Sequence, residues 1–256
     1  MNFLILWKDL RLFIGKNPKP TKGHSHPIIQ LVVATSGKFR TKNKYTNEWI
    51  FEKGLLIKSN VGHQCDATNI PILSLDIEPD SALGGWVNSK ILKSEDIISY
   101  PSDLFGQIDF ELLKDYLHNK NWVAVRSMLE AIFQFGHKYE HQKKDERISD
   151  VLNYIHRNIH SLLTTKELSE IAFLSESRLL HLFKVEVGLP IRNYILWYRL
   201  KVAFEQYIGG HSMTEASHTA GFSDQSHFTR TSLKMIGVTP STILKNSKFI
   251  QVSFLD

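Results

Sequence analysis

The sequence predicts an α+β chain with a strand-rich N-terminal half, a short helical segment and an all-α C-terminal half. Three observations carry that prediction. Short β-branched and aromatic runs, bounded by turn residues, fill residues 11 to 78. From Asp109 the apolar period changes to three and four. Between residues 168 and 237 one helical pattern occurs twice.

Composition limits the classes the chain can belong to. Its 256 residues are 42% hydrophobic and 22% charged, which suits two modest domains with real cores. With Cys65 as the single cysteine, no intrachain disulfide can form and a reducing compartment is expected. No apolar run approaches the ~20 residues of a membrane span. The opening MNFLILWKDL has no basic leader or small-residue cleavage site and runs straight into charge, so it reads as a first strand. A cytoplasmic protein with no membrane partner is expected. The net charge of +5 and pI near 9.1 permit an anionic partner without identifying one.

The strand-rich half contains the runs 11–15, 28–37, 48–51, 54–60 and 72–78, a spacing that fits a sandwich or barrel. Two amphipathic helices follow. One carries Phe110, Leu113 and Leu117; the other carries Val125, Met128, Leu129, Ile132 and Phe133, and NKN at 119–121 separates them. A single helix cannot bury the second stripe, so a two-fold dimer interface is expected there. The polar stretch 136–146 reads as a linker. The expected division is 1–100 for the β-rich sensory domain, 101–140 for the helical dimerisation segment and 141–256 for the C-terminal domain.

The repeat is read by setting LSEIAFLS (168–175) over ASHTAGFS (216–223). Ser169, Ala172, Leu174 and Ser175 then fall on Ser217, Ala220, Phe222 and Ser223, and, one residue further on, Leu179 falls on Phe228 and Gly188 on Gly237. Each copy describes a short helix, a tight turn and a second helix. Small residues let the two helices cross closely, and Leu174 and Phe222 anchor the turn. Ser175 and Ser223 are the expected N-caps. The segment 191–208 joins the copies as one amphipathic helix. Two helix-turn-helix motifs on a rigid spacer suit successive major grooves of double-stranded DNA, because the second helix of each has about the width of the groove.

AGFSDQSHFTR followed by GVTP, and preceded by LSESRLLHLFKVEVG, resembles the AraC family of bacterial transcription regulators over residues 147–244. The resemblance implies a sequence-specific DNA-binding regulator that is not an enzyme. It also implies a β-rich effector-binding domain ahead of the motifs, a small-molecule effector, homodimerisation, and activation rather than repression of transcription, with RNA polymerase as a partner. Carried over by position, the recognition helices correspond to 176–187 and 224–236. Helical spacing leaves Ser177, Arg178, His181 and Lys184 off the buried side of the first, and Gln225, Ser226, Thr229 and Arg230 off that of the second. Arg230 suits guanine, Gln225 adenine and Lys184 a phosphate. Two departures stand out. Ser232 and Leu233 occupy positions where the family has Phe and Lys, which predicts a shifted or weakened second motif, and the region after the GVTP turn lacks the family's Arg.

KGHSHPIIQLVVATSG resembles the first motif of a cupin barrel, so the first half is expected to be a cupin-like β-barrel. His24, His26 and Gly37 match that motif, the acid position holds Gln30, and His63 is the candidate distant ligand. In metal-binding cupins such histidines and a carboxylate hold a metal ion. With Gln30 in place of the acid, no metal or cofactor is assigned, and His24, His26, Gln30 and His63 are candidates for the effector pocket. A metal-dependent cupin enzyme or metal sensor fused to a DNA-binding module is the alternative reading. Trp7, Trp49 and Trp86 could stack on an effector, with Trp49 carried as the pocket candidate. No phosphate loop or nucleophile motif is present.

Overall fold

The computed structural model describes residues 2–16, 20–42, 46–103, 106–135, 144–242 and 250–254. Residues 136–143 of the expected linker therefore lie outside the described residues, and its last residue, Glu146, begins a helix. Contacts divide the chain into two units, one of residues 1–23, 28–141 and 249–256, the other of residues 24–27 and 142–248.

The first unit is built on two sheets. Strands β1 (Asn2–Leu6), β2 (Leu10–Lys16), β3 (Ile29–Ala34), β6 (Gly54–Ile57), β8 (Pro71–Ile77), β9 (Ile97–Tyr100) and β10 (Ile250–Phe254) form a seven-stranded sheet. Its order is β10-β1-β2-β8-β3-β6-β9. Strands β4 (Phe39–Lys42), β5 (Trp49–Glu52) and β7 (Cys65–Asp66) form a three-stranded sheet in the order β5-β4-β7.

The larger sheet is buried on both faces, and residue alternation sorts the two cores. Leu31, Val33 and Leu56 face one way, into a core shared with helices α1 (Ala82–Trp86), α2 (Phe110–His118) and α3 (Trp122–Ile132). Val32, Ala34, Leu55 and Ile57 face the other way, with Phe39 and Cys65 of the small sheet. That explains the continuously apolar GLLI of β6, whose four residues are all buried. Among the described residues the sheets do not close into the expected barrel. The architecture is an open, cupin-like pair of sheets with helices on the outer face of the larger one.

Two features of this unit correct expectations. The α3 stripe is already covered: Val125 and Leu129 are fully buried, and Ile132 and Phe133 nearly so, in the helix-side core. Arg126 ties the helix down, donating to both carboxylate oxygens of Asp9 at 2.7 and 2.9 Å and to Glu130 at 2.6 Å. The stripe therefore serves the chain's own core, and the argument for a dimer interface there fails. The C-terminal tail also has a place: β10 pairs in parallel with β1, Asn2 against Ile250 through Leu6 against Phe254, and extends the sheet edge.

The second unit consists of helices α4 (Glu146–Arg157), α5 (Thr165–Ile171), α6 (Glu176–Val187), α7 (Ile191–Ile208), α8 (Met213–Thr219) and α9 (Gln225–Ile236). Helices α5 and α6 form one pair and α8 and α9 the other, and α7 joins them. Its amphipathic sequence buries Ile191, Tyr194, Ile195, Trp197, Leu200 and Ala203.

Candidate nucleic-acid interface

The two helix pairs repeat at the level of individual hydrogen bonds. Helix α5 is capped by Thr164 and α8 by Ser212, and the latter forms a full capping box with Glu215. Ser169 turns its hydroxyl back onto the Lys166 carbonyl at 2.7 Å, and Ser217 does the same onto Thr214 at 2.8 Å. Both serines are buried, as are Ala172 and Ala220, so the helices of each pair cross on small side chains. Helices α6 and α9 end alike on left-handed glycines, Gly188 and Gly237, each at φ 77°.

The turns are where the copies diverge. Both adopt a positive φ at the same repeat position, 80° at Gly221 and 51° at Phe173. Glycine is required in the second turn, because a Cβ on Gly221 would lie 2.4 Å from the Ile159 carbonyl oxygen. Phe173 holds the left-handed conformation with its side chain 92% exposed. The caps diverge as well. Ser175 caps α6 as expected, but Asp224 caps α9 by accepting from the His227 amide at 2.7 Å, while Ser223 donates to Asp224. The extra residue in the second copy moves the cap one place along. The His227 amide and then the Ser223 hydroxyl hold the Asp224 carboxyl below its ordinary range.

These frames aim the outer faces of α6 and α9 at solvent. In α6, Leu179, Phe183 and Val187 are buried, and Ser177, Arg178, His181 and Lys184 are all exposed. In α9, Phe228 is fully buried against Phe222 and Phe204, at ring centroid distances of 5.4 and 5.3 Å. Gln225, Ser226 and Arg230 are exposed and Thr229 is half-buried. Each helix thus carries a polar face opposite its anchor, the geometry a recognition helix needs.

The Ser232 departure has a local solution. Its side chain is fully buried and donates to the Val238 carbonyl at 2.6 Å. A hydrogen bond to the following turn fills the place of the family's aromatic ring, and α9 runs unbroken to Ile236. Leu180 and Val185 on α6 are exposed as well, and the sequence reading missed them because it named only polar residues on the outer face of the helix.

Of the cupin-motif candidates, His24 and His26 belong to the second unit and His63 to the first. His26 and His63 are buried, and His63 Nδ1 donates to the Val61 carbonyl at 3.0 Å. Gln30 donates its amide nitrogen to Ser74 at 3.2 Å and to Asp76 at 3.0 Å. Burial pushes the Cys65 thiol up to about 11. Trp49 is on the outer face of the small sheet, 40% exposed, with the Arg40 guanidinium 5.3 Å and the Lys42 ammonium 5.6 Å from its ring centroid. It lines no core that could enclose an effector. Trp86 donates to the Phe133 carbonyl at 2.8 Å and packs on the helix-side core.

Comparison with known proteins agrees with this geometry. A helix-turn-helix domain family matches residues 168–246. The probable transcriptional regulator LumQ of Photobacterium leiognathi is 26% identical over 231 residues, covering 85% of this chain and 90% of its own length. An uncharacterized helix-turn-helix-type regulator of Escherichia coli, YdiP, is 29% identical over 107 residues, 41% of this chain and 35% of that protein. Among solved structures, ToxT from Vibrio cholerae O395 superposes with a TM-score of 0.58 at 13% identity, over 93% of this chain and 98% of ToxT. An unsaturated-fatty-acid-bound ToxT from strain SCE256 gives 0.57 at 12% identity, over 93% and 95%. The duplicated motif and the matched domain together give this chain a helix-turn-helix domain over residues 168–246, and most of its length is similar to a probable transcriptional regulator.

Proposed function

We propose that α6 and α9 enter successive major grooves on one face of the DNA, with Ser177, Arg178, His181, Lys184, Gln225, Ser226, Thr229 and Arg230 making the contacts, and that the two-sheet unit receives a small-molecule effector. The observation that carries this reading is the hydrogen-bond-level repetition of the two helix pairs, each with an exposed polar face backed by a fully buried anchor, Leu179 or Phe228. The protein acts by binding rather than by catalysis, in the cytoplasm where its DNA lies. Arg230 donates in pairs to guanine and Gln225 exchanges hydrogen bonds with adenine, whereas Lys184 meets phosphate.

Footprinting on a selected site tests the arrangement. Two motifs in series protect one face over about two helical turns, roughly 20 base pairs. Protection confined to one turn would leave the second motif without a groove. For the effector, thermal shift of the full chain against a panel that begins with unsaturated fatty acids, the ligand class seen on ToxT, identifies compounds that stabilise the protein and change operator affinity.

A further inference from the structure

Leu180 is 42% exposed on α6, in the half of the helix that starts at the Ser175 cap. Single exposed leucines are common and by themselves signify nothing. The position of this one is set by two independent relations. On its own helix, Ser177, Leu180, His181 and Lys184 are spaced i, i+3, i+4 and i+7, so they form one stripe, and all four are exposed. Across the repeat, the offset of 49 that maps Leu179 onto Phe228 maps Ser177 onto Ser226, Leu180 onto Thr229 and His181 onto Arg230. Leu180 therefore holds the place on the first helix that Thr229 holds among the base-facing residues of the second.

A leucine there has no hydrogen bond to offer a base edge. The apolar group that the major groove does present is the C5 methyl of thymine. N-terminal residues of a recognition helix reach base edges, and Leu180 is in that half of α6, whereas Val185, 65% exposed, is near its C-terminal end. We propose that Leu180 reads a thymine methyl group in the groove entered by α6, which makes the first motif selective for thymine at one position through apolar contact. This rests on the proposed function, since it requires α6 to be the groove-entering helix.

The full-length protein is selected on a randomised duplex library, and each thymine of the preferred site is then replaced singly by uracil, which removes only the methyl group. At one thymine within the α6 half-site, uracil weakens wild-type binding about fourfold, the worth of one buried methyl group. Leu180→Ala binds the thymine site about fourfold more weakly and is indifferent to the uracil exchange at that position. Leu180→Met restores sensitivity, Val185→Ala keeps it, and melting of Leu180→Ala shows that the domain is intact. The inference is overturned if no single uracil weakens wild-type binding, if Leu180→Ala retains the uracil penalty, or if Val185→Ala removes it. A wild-type protein with no base preference anywhere would instead remove the proposed function, and the inference with it.

Discussion

Replacing Phe228 with alanine tests whether α9 is held by a packed anchor or only by its sequence. The ring is fully buried and packs edge-on against Phe204 and at a tilt against Phe222, with centroids 5.3 and 5.4 Å away. Truncation removes this contact area and leaves a cavity that the turn at Gly221 cannot fill, because that turn is pinned against the Ile159 carbonyl. Arg199 holds the same loop, donating to the Ile159 and Ser161 carbonyls at 3.1 and 2.7 Å. A phenylalanine truncation at a site with so little room to collapse costs about 3 to 5 kcal/mol. Against a domain stability of about 5 to 15 kcal/mol, that is a large fraction. Urea denaturation followed by helical ellipticity measures the loss, and binding to the second half-site falls with it. A loss under about 1 kcal/mol would mean that the site relaxes freely, and the packing argument for α9 would be wrong.

Three further outcomes follow from the same coordinates. Leu129→Arg places a charge in a fully buried position of the β unit, so it lowers that unit's stability by at least the ~2 to 5 kcal/mol of losing the leucine. Sedimentation of a well-folded variant with a changed oligomeric state would instead restore the dimer interface to α3. Lys184→Ala weakens binding to all sequences alike and lowers the salt slope by about one, as a phosphate contact requires; a change in base preference would reassign it. Asp224, whose carboxyl is held low in the folded state, contributes stability that is present above the unfolded carboxylate value and is lost as pH falls through the folded one. Acid titration of the wild type therefore loses more stability below about pH 4 than that of Asp224→Asn, which keeps the cap but cannot titrate, and equal losses would contradict the assignment.

Legibility in the sequence followed physical locality. The helix pairs could be read because small crossing residues, buried anchors and terminal glycines are all set within a few positions, and α6 matches its expected bounds at 176–187. The cap of α9 was misplaced from Ser223 to its neighbour because one inserted residue shifts the frame, and only geometry shows that Asp224 accepts the amide. The buried Ser232 was taken for a weakness, since its partner, the Val238 carbonyl, is visible only once the turn is folded. Long-range features were invisible for a similar reason. The α3 stripe shows that something covers it, not that the cover is the chain's own sheet. The short strands β4, β7 and β9 carry too few residues to show a period, and β10 has meaning only through its pairing with β1, 248 positions away in sequence by the Ile5–Ser253 register (253 − 5). Trp49 was placed at the effector because aromatic content says nothing about which face of a strand a residue occupies, and its pairing opposite Lys42 puts it outside.

The central claim is that both motifs read sequence, and the most direct measurement is base preference on a randomised-site library for the wild type, Arg230→Ala and His181→Ala. Each substitution removes an exposed side chain, so melting stays unchanged. Arg230→Ala weakens specific binding by about 1 to 3 kcal/mol and relaxes one base pair in one half of the site, and His181→Ala relaxes a position in the other half. If Arg230→Ala leaves affinity and preference untouched while His181→Ala abolishes both, only the first motif reads DNA and the account of α9 is wrong.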